Sequence, residues 1–93
     1  MISANSIPSL PRGVRTHFDK VREADVLLGP ERVLMLDQIG VAVLSRVNGT
    51  ASIAEISKVL SEAYDAPLDM IQKDVVEYLT DLADKRLLDV TDG

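Results

Sequence analysis

The chain has no cysteine, no tryptophan and a single histidine, and the missing residues narrow its chemistry at once. Without cysteine there is no disulfide and no thiolate metal site, so cysteine usage points to no redox compartment. One histidine leaves a zinc site to be built almost wholly from carboxylates, an uncommon donor set. The five glycines, at positions 13, 29, 40, 49 and 93, do not cluster, which removes a phosphate-cradling loop. Aromatics are limited to Phe18, Tyr64 and Tyr78, too few for a base-stacking platform. No apolar run approaches the roughly 20 residues of a membrane span, and the N-terminus lacks a signal-peptide core. A cytoplasmic protein with no membrane partner is the expectation. The net charge of −5 disfavours nucleic acid and anionic lipid as main partners.

What is present is enough for one small core in 93 residues. Residues 1–12, with Ser3, Ser6, Pro8, Ser9 and Pro11, show no periodicity and read as a flexible arm. From Val14 the pattern alternates, Val14, Thr16 and Phe18 against Arg15, His17 and Asp19, which predicts a half-buried strand. The stretch VLLGPERVLMLDQ then sets two apolar runs, Val26–Leu28 and Val33–Leu36, around Gly29-Pro30-Glu31-Arg32. Proline presets φ for a tight turn, so this predicts a hairpin. A hairpin strand at a sheet edge leaves backbone groups unpaired, which raises the question of what pairs with Val33–Leu36.

After Asp37, a natural N-cap, the period becomes helical: Ile39, Ala42, Val43 and Val47, ended by Asn48-Gly49. Ser52-Ile53-Ala54-Glu55 forms a capping box for a second helix striped by Ile53, Ile56, Val59, Leu60 and Ala63. Pro67 suits the first turn of a third, longer helix with the stripe Leu68, Ile71, Val75, Tyr78, Leu79 and Leu82. Leu87–Val90 can return as a short extended segment, with 91–93 as a tail. Three strands followed by three helices predict an α+β domain over residues 13–90. The expected form resembles a winged helix-turn-helix with a three-stranded N-terminal antiparallel sheet.

No catalytic constellation is present. His17, between Arg15 and Asp19, reads as a solvated side chain, and the carboxylates of the third helix scatter over its outward face. The expectation is a protein that is not an enzyme and holds no cofactor or metal. A winged helix raises the alternative of a DNA-binding regulator, and charge tests it. From Pro67 to Asp84 the third helix carries Asp69, Asp74, Glu77, Asp81 and Asp84 against Lys73 alone, a formal −4. That helix repels phosphates. The basic residues Arg12, Arg15, Lys20 and Arg22 gather instead around the first predicted strand, as a solvated surface or as a steering patch for an acidic partner. The free edge at Val33–Leu36 offers main-chain hydrogen bonds to an extended peptide, with Tyr78 as a rim residue. Leu34, Leu36, Val75, Leu79 and Leu82 read equally as core. Free edges also permit a homodimer.

Three segments, PRGVRTHFDKVREADVLLGPERVLMLD, NGTASIAEISKVLSEAYDAP and DVVEYLTDLADKRLLDV, carry a resemblance. In this order and spacing they resemble the PqqD family of pyrroloquinoline quinone biosynthesis from about Pro11 to Val90. The resemblance implies a peptide chaperone that binds the precursor peptide PqqA and presents it to the radical S-adenosylmethionine enzyme PqqE. It further implies a leader peptide paired with the third strand and lying against the third helix. Carried onto this sequence, those positions are Arg32, Val33, Leu34, Met35 and Leu36, with Asp74, Val75, Tyr78, Leu79 and Leu82 on the helix.

Overall fold

The computed structural model describes residues 2–92. The elements run β1 (Ser6–Ser9), β2 (Arg15–Asp19), β3 (Ala24–Leu28), β4 (Val33–Met35), α1 (Gln38–Leu44), α2 (Ile53–Tyr64), α3 (Leu68–Asp84) and β5 (Asp89–Asp92). The α+β class and the three helices stand as expected. The sheet plan differs: the described residues form two antiparallel sheets, β2-β3-β4 and a separate β1-β5 pair.

The pair β1-β5 corrects the reading of residues 1–12 as an arm. Ser6 faces Asp92 and Ser9 faces Asp89 in register, and Ser6 and Pro8 are buried. The Ala54 N–H, one of the orphan donors at the start of α2, donates to the Ala4 carbonyl at 2.9 Å. Chain start and chain end are thus stitched together beside α2. A Ser-Pro-rich tetrapeptide carries little strand signal of its own, and its partner lies 80 to 86 residues away. The pairing also replaces the wing of a winged helix, since the strand after α3 joins β1 and not a hairpin. Met1 of the expected arm and Gly93 of the expected tail lie outside the described residues.

The helices start where their caps put them. The Asp37 carboxylate accepts from the Gly40 N–H at 2.7 Å, and the Ser52–Glu55 capping box is closed in both directions. Ends are less regular. Helix α1 stops at Leu44, short of Val47, because Arg46 and Val47 N–H groups bond three residues back and tighten the last turn. The Asn48 side chain then organises the connection, accepting from the Thr50 and Ala51 N–H groups, while Gly49 takes φ +82°. Helix α2 ends on Asp65 in the left-handed region, φ 51°, a conformation that aspartate tolerates better than most residues.

The core lies between the inner sheet face and the helices. Leu27, Val43, Ile53, Ile56, Leu79 and Leu82 are among its most buried members. Leu87 and Leu88, just past α3, close it. The expected stripes are trimmed at their margins: Ile39 is 53% exposed and Leu68 46%. The half-buried strand of the sequence pattern is also not seen, because Arg15 to Phe18 on β2 are all exposed and only Val14 before it is buried.

Candidate functional site: an open strand edge beside a helix

Among the described residues, strand β4 pairs with β3 on one side only. The Gly29 N–H donates to the Arg32 carbonyl and the Leu36 N–H to the Asp25 carbonyl, both at 2.9 Å. These bonds bracket the register Leu27↔Leu34. Antiparallel pairing alternates, so Arg32, Leu34 and Leu36 direct their backbone groups into the ladder. Val33 and Met35 therefore turn their N–H and C=O outward. The open edge consists of two residues, each with one donor and one acceptor.

Side chains follow the opposite logic of the pleat. Leu34, opposite buried Leu27, faces the core and is half-buried, as is Leu36. Val33 and Met35 lie on the outer sheet face, 49% and 59% exposed.

Helix α3 meets the segment from Pro30 to Gly40 at two places, in reverse chain order. At the start of β4, Pro30–Arg32 and Lys85–Leu87 line one recess. A Cβ built on Gly29 would lie 2.6 Å from Leu87 Cδ2, so the hairpin and the end of α3 meet closely there. At the start of α1, the Tyr78 hydroxyl lies over Gly40, where a Cβ would sit 2.5 Å from its oxygen. Only glycine permits that approach. Farther along, Ile39, Ala42 and Val43 share a cleft with Leu60, Tyr64, Ile71, Asp74 and Val75.

The ten sequence-derived positions therefore divide. Arg32, Val33, Met35 and Asp74 are exposed; Leu34, Leu36 and Tyr78 are half-buried; Val75, Leu79 and Leu82 are buried, at 2%, 0% and 2% exposure. The last three hold α3 against the core and reach a ligand only where Val75 lines the cleft. Sequence reasoning missed that Ile39 and Ile71 line one cleft and that Lys85 and Arg86 share a recess with Arg32. Ile39 and Ile71 read as core stripe, and the two basic residues read as partners of the helix dipole.

The electrostatics of α3 are negative outside. Asp69, Asp74, Glu77, Asp81 and Asp84 are all exposed, and Lys85 pairs with Asp81. Burial raises the Tyr78 pKa above its ordinary value, with Asp37 and then Asp81 adding to the shift, so its hydroxyl stays protonated. The basic residues Arg12, Arg15, Lys20 and Arg22 are exposed around β2, Arg22 paired with Asp19 at 3.4 Å. His17 sits exposed on β2 opposite Val26. Among the described residues no group of three or more His, Asp or Glu is placed to hold a metal. No helix among them is long and apolar enough to cross a membrane.

Fold and site together define a small α+β domain whose three-stranded sheet ends, among the described residues, in a strand paired on one side only, with the longest helix at either end of it. Comparison with known proteins makes this specific. The profile of coenzyme PQQ synthesis protein D (PqqD) matches residues 26–88. The chain belongs to the PqqD family. It is 47% identical over 87 residues to the PqqA binding protein of Xanthomonas campestris pv. campestris, covering 94% of this chain and 95% of that one. It is 45% identical over 87 residues to the bifunctional coenzyme PQQ synthesis protein C/D of Methylorubrum extorquens. There it spans 94% of its own length but only 23% of the relative's.

Two solved structures are similar. One is the PqqD truncation of Methylobacterium extorquens PqqCD, a stand-alone recognition element for ribosomally synthesised, post-translationally modified peptides. It superposes with a TM-score of 0.83 at 44% identity, covering 96% of this chain and 95% of that one. The other is PqqD from Xanthomonas campestris, with a TM-score of 0.59 at 45% identity, covering 94% and 97%.

Proposed function

We propose that this protein is a non-catalytic peptide chaperone of pyrroloquinoline quinone biosynthesis. It takes up the precursor peptide PqqA as an added strand on β4 and presents it to the radical S-adenosylmethionine enzyme PqqE in the cytoplasm. The observation that carries the reading is the outward-facing backbone of Val33 and Met35, on an edge whose start shares a recess with the end of α3. Relatives named PqqA binding protein, nearly half identical over almost the whole chain, supply the peptide. The fused C/D relative supports work in company with pathway enzymes. Presentation needs no reacting group on this chain: an extended peptide held by its backbone keeps alternate side chains free for an enzyme.

Titration of the 15N-labelled protein with synthetic PqqA tests the location. The amides of Val33 and Met35 are expected to shift and to gain protection from exchange, together with amides along the α3 face from Asp74 to Leu82. Shifts confined to β1, β5 and α2 would refute it. Addition of PqqE to the saturated complex tests presentation, by whether a ternary complex elutes together in size-exclusion chromatography.

A further inference from the structure

Two residues are a small edge. Val33 and Met35 offer at most two donors and two acceptors, and at about 1 kcal/mol net for each bond they bring a peptide only to roughly millimolar affinity. Association costs lower that further. The ends of the edge must therefore supply the rest, and the two ends differ in chemistry.

At the start of β4 the recess beside Arg32 has a volume of about 300 Å³ and is lined by Pro30, Glu31, Arg32, Lys85, Arg86 and Leu87. Lys85 is engaged with Asp81. Among the described residues, neither the Arg32 nor the Arg86 guanidinium has a carboxylate within ion-pair distance. Glu31 is the one acid in the lining. At the far end, between α1, α2 and α3, lies a cleft of about 230 Å³ whose surface is almost wholly apolar, with Asp74 its one charged neighbour. Ile39 and Tyr64 at its mouth are 53% and 47% exposed. Between the two ends, the Tyr78 hydroxyl and the Asp37 carboxylate both lie over Gly40 at the start of α1.

Resting on the peptide-binding reading above, we propose that the site selects its peptide at both ends. An acidic side chain is held by Arg32 and Arg86, and an apolar side chain is buried in the cleft between Ile39, Tyr64 and Ile71. The acids at the middle and far end exclude the reverse arrangement, since a peptide carboxylate there would face Asp37 and Asp74. Every strand pair in this fold is antiparallel, and an antiparallel addition places the apolar anchor before the acid in the peptide. Arg32 and the cleft mouth are separated by the length of β4 and the entry to α1. The two anchors are then about four to six residues apart at strand spacing.

The test uses the full chain and synthetic PqqA carrying a nitroxide at its N-terminus or, separately, at its C-terminus. The N-terminal label is expected to broaden the amides of Ile39, Tyr64 and Ile71, and the C-terminal label those of Arg32 and Arg86. The opposite gradient overturns the order. Arg32→Glu is expected to weaken binding about tenfold in low salt, with the loss shrinking in high salt. Ile39→Ser is expected to weaken binding by about threefold or more at either salt. Both positions are exposed, so folding is checked by an unchanged thermal midpoint. If Val33 and Met35 shift on titration but both variants bind as the parent does, the two-ended selection is wrong while strand addition stands. If Val33 and Met35 do not respond at all, strand addition itself fails. Concentration-dependent shifts of Ile39 and Tyr64 without peptide, unchanged when peptide is added, would assign the cleft to a second copy of the chain and overturn the proposal.

Discussion

Proline at position 33 separates the two sides of β4. Val33 is the first residue of the strand, its N–H points away from β3, and its side chain is half-exposed. Proline is tolerated at such an edge position, so folding should lose no more than about 1 kcal/mol, a drop in Tm of at most about 8 °C in a domain this size. Peptide binding loses more. One outward donor is worth about 1 kcal/mol, and the pyrrolidine ring stands where the incoming strand must approach, adding a penalty of similar size. The expected increase in Kd is about fivefold to thirtyfold. Isothermal titration with PqqA reads it, with thermal melts as the control.

Leu34→Pro is the counterpart. Its N–H belongs to the ladder with Leu27, and its side chain faces the core. That substitution should cost roughly 3 kcal/mol of folding, a large share of the stability of a small domain. It loses binding by unfolding, not by disarming the edge. A Val33→Pro protein that melts like the parent and binds PqqA with unchanged Kd would refute the reasoning. Should proline unfold the domain, backbone N-methylation of Met35 by semisynthesis removes the other outward donor and puts the same question.

Three further outcomes follow from the packing. Gly40→Ala sets a methyl against the Tyr78 hydroxyl and 3.2 Å from the Asp37 carboxylate, and should lower stability by about 1–3 kcal/mol in denaturant melts. Part of that loss should return in the Tyr78→Phe background, which removes the colliding oxygen; no return would place the strain elsewhere. Ser57, fully buried in α2, has a hydroxyl without a hydrogen-bond partner among the described residues, so Ser57→Ala should be neutral or stabilising by up to about 1 kcal/mol. A clear loss of stability in that variant would show the hydroxyl to be bonded. Tyr78 has its pKa raised in the fold by burial, Asp37 and Asp81. Its stabilising contribution is complete below the unfolded value near 10 and is lost as pH rises through the folded one. Stability should therefore fall above about pH 10 less steeply in Tyr78→Phe than in the parent, and equal slopes would remove Tyr78 as the cause.

Local chemistry alone determined much of this protein. Asp37, the Ser52–Glu55 box and Pro67 mark helix starts within a few bonds of themselves, and all three helices begin there. Gly29-Pro30 turns the hairpin, and the absent cysteines, the single histidine and the acidic third helix remove whole classes of chemistry before any fold is known. Tertiary structure decided the rest, because it depends on partners distant in the chain. Ser6–Ser9 becomes a strand only because Asp89–Asp92 lies beside it. Periodicity named Leu34, Val75, Leu79 and Leu82 without distinguishing core from groove. Which backbone groups of β4 stay unpaired is settled by its register on β3, and a one-residue slip would reverse the answer. The meeting of Arg32 with Arg86, and of Ile39 with Ile71, exists only once α3 has packed in place, since no local signal links residues 54 and 32 positions apart.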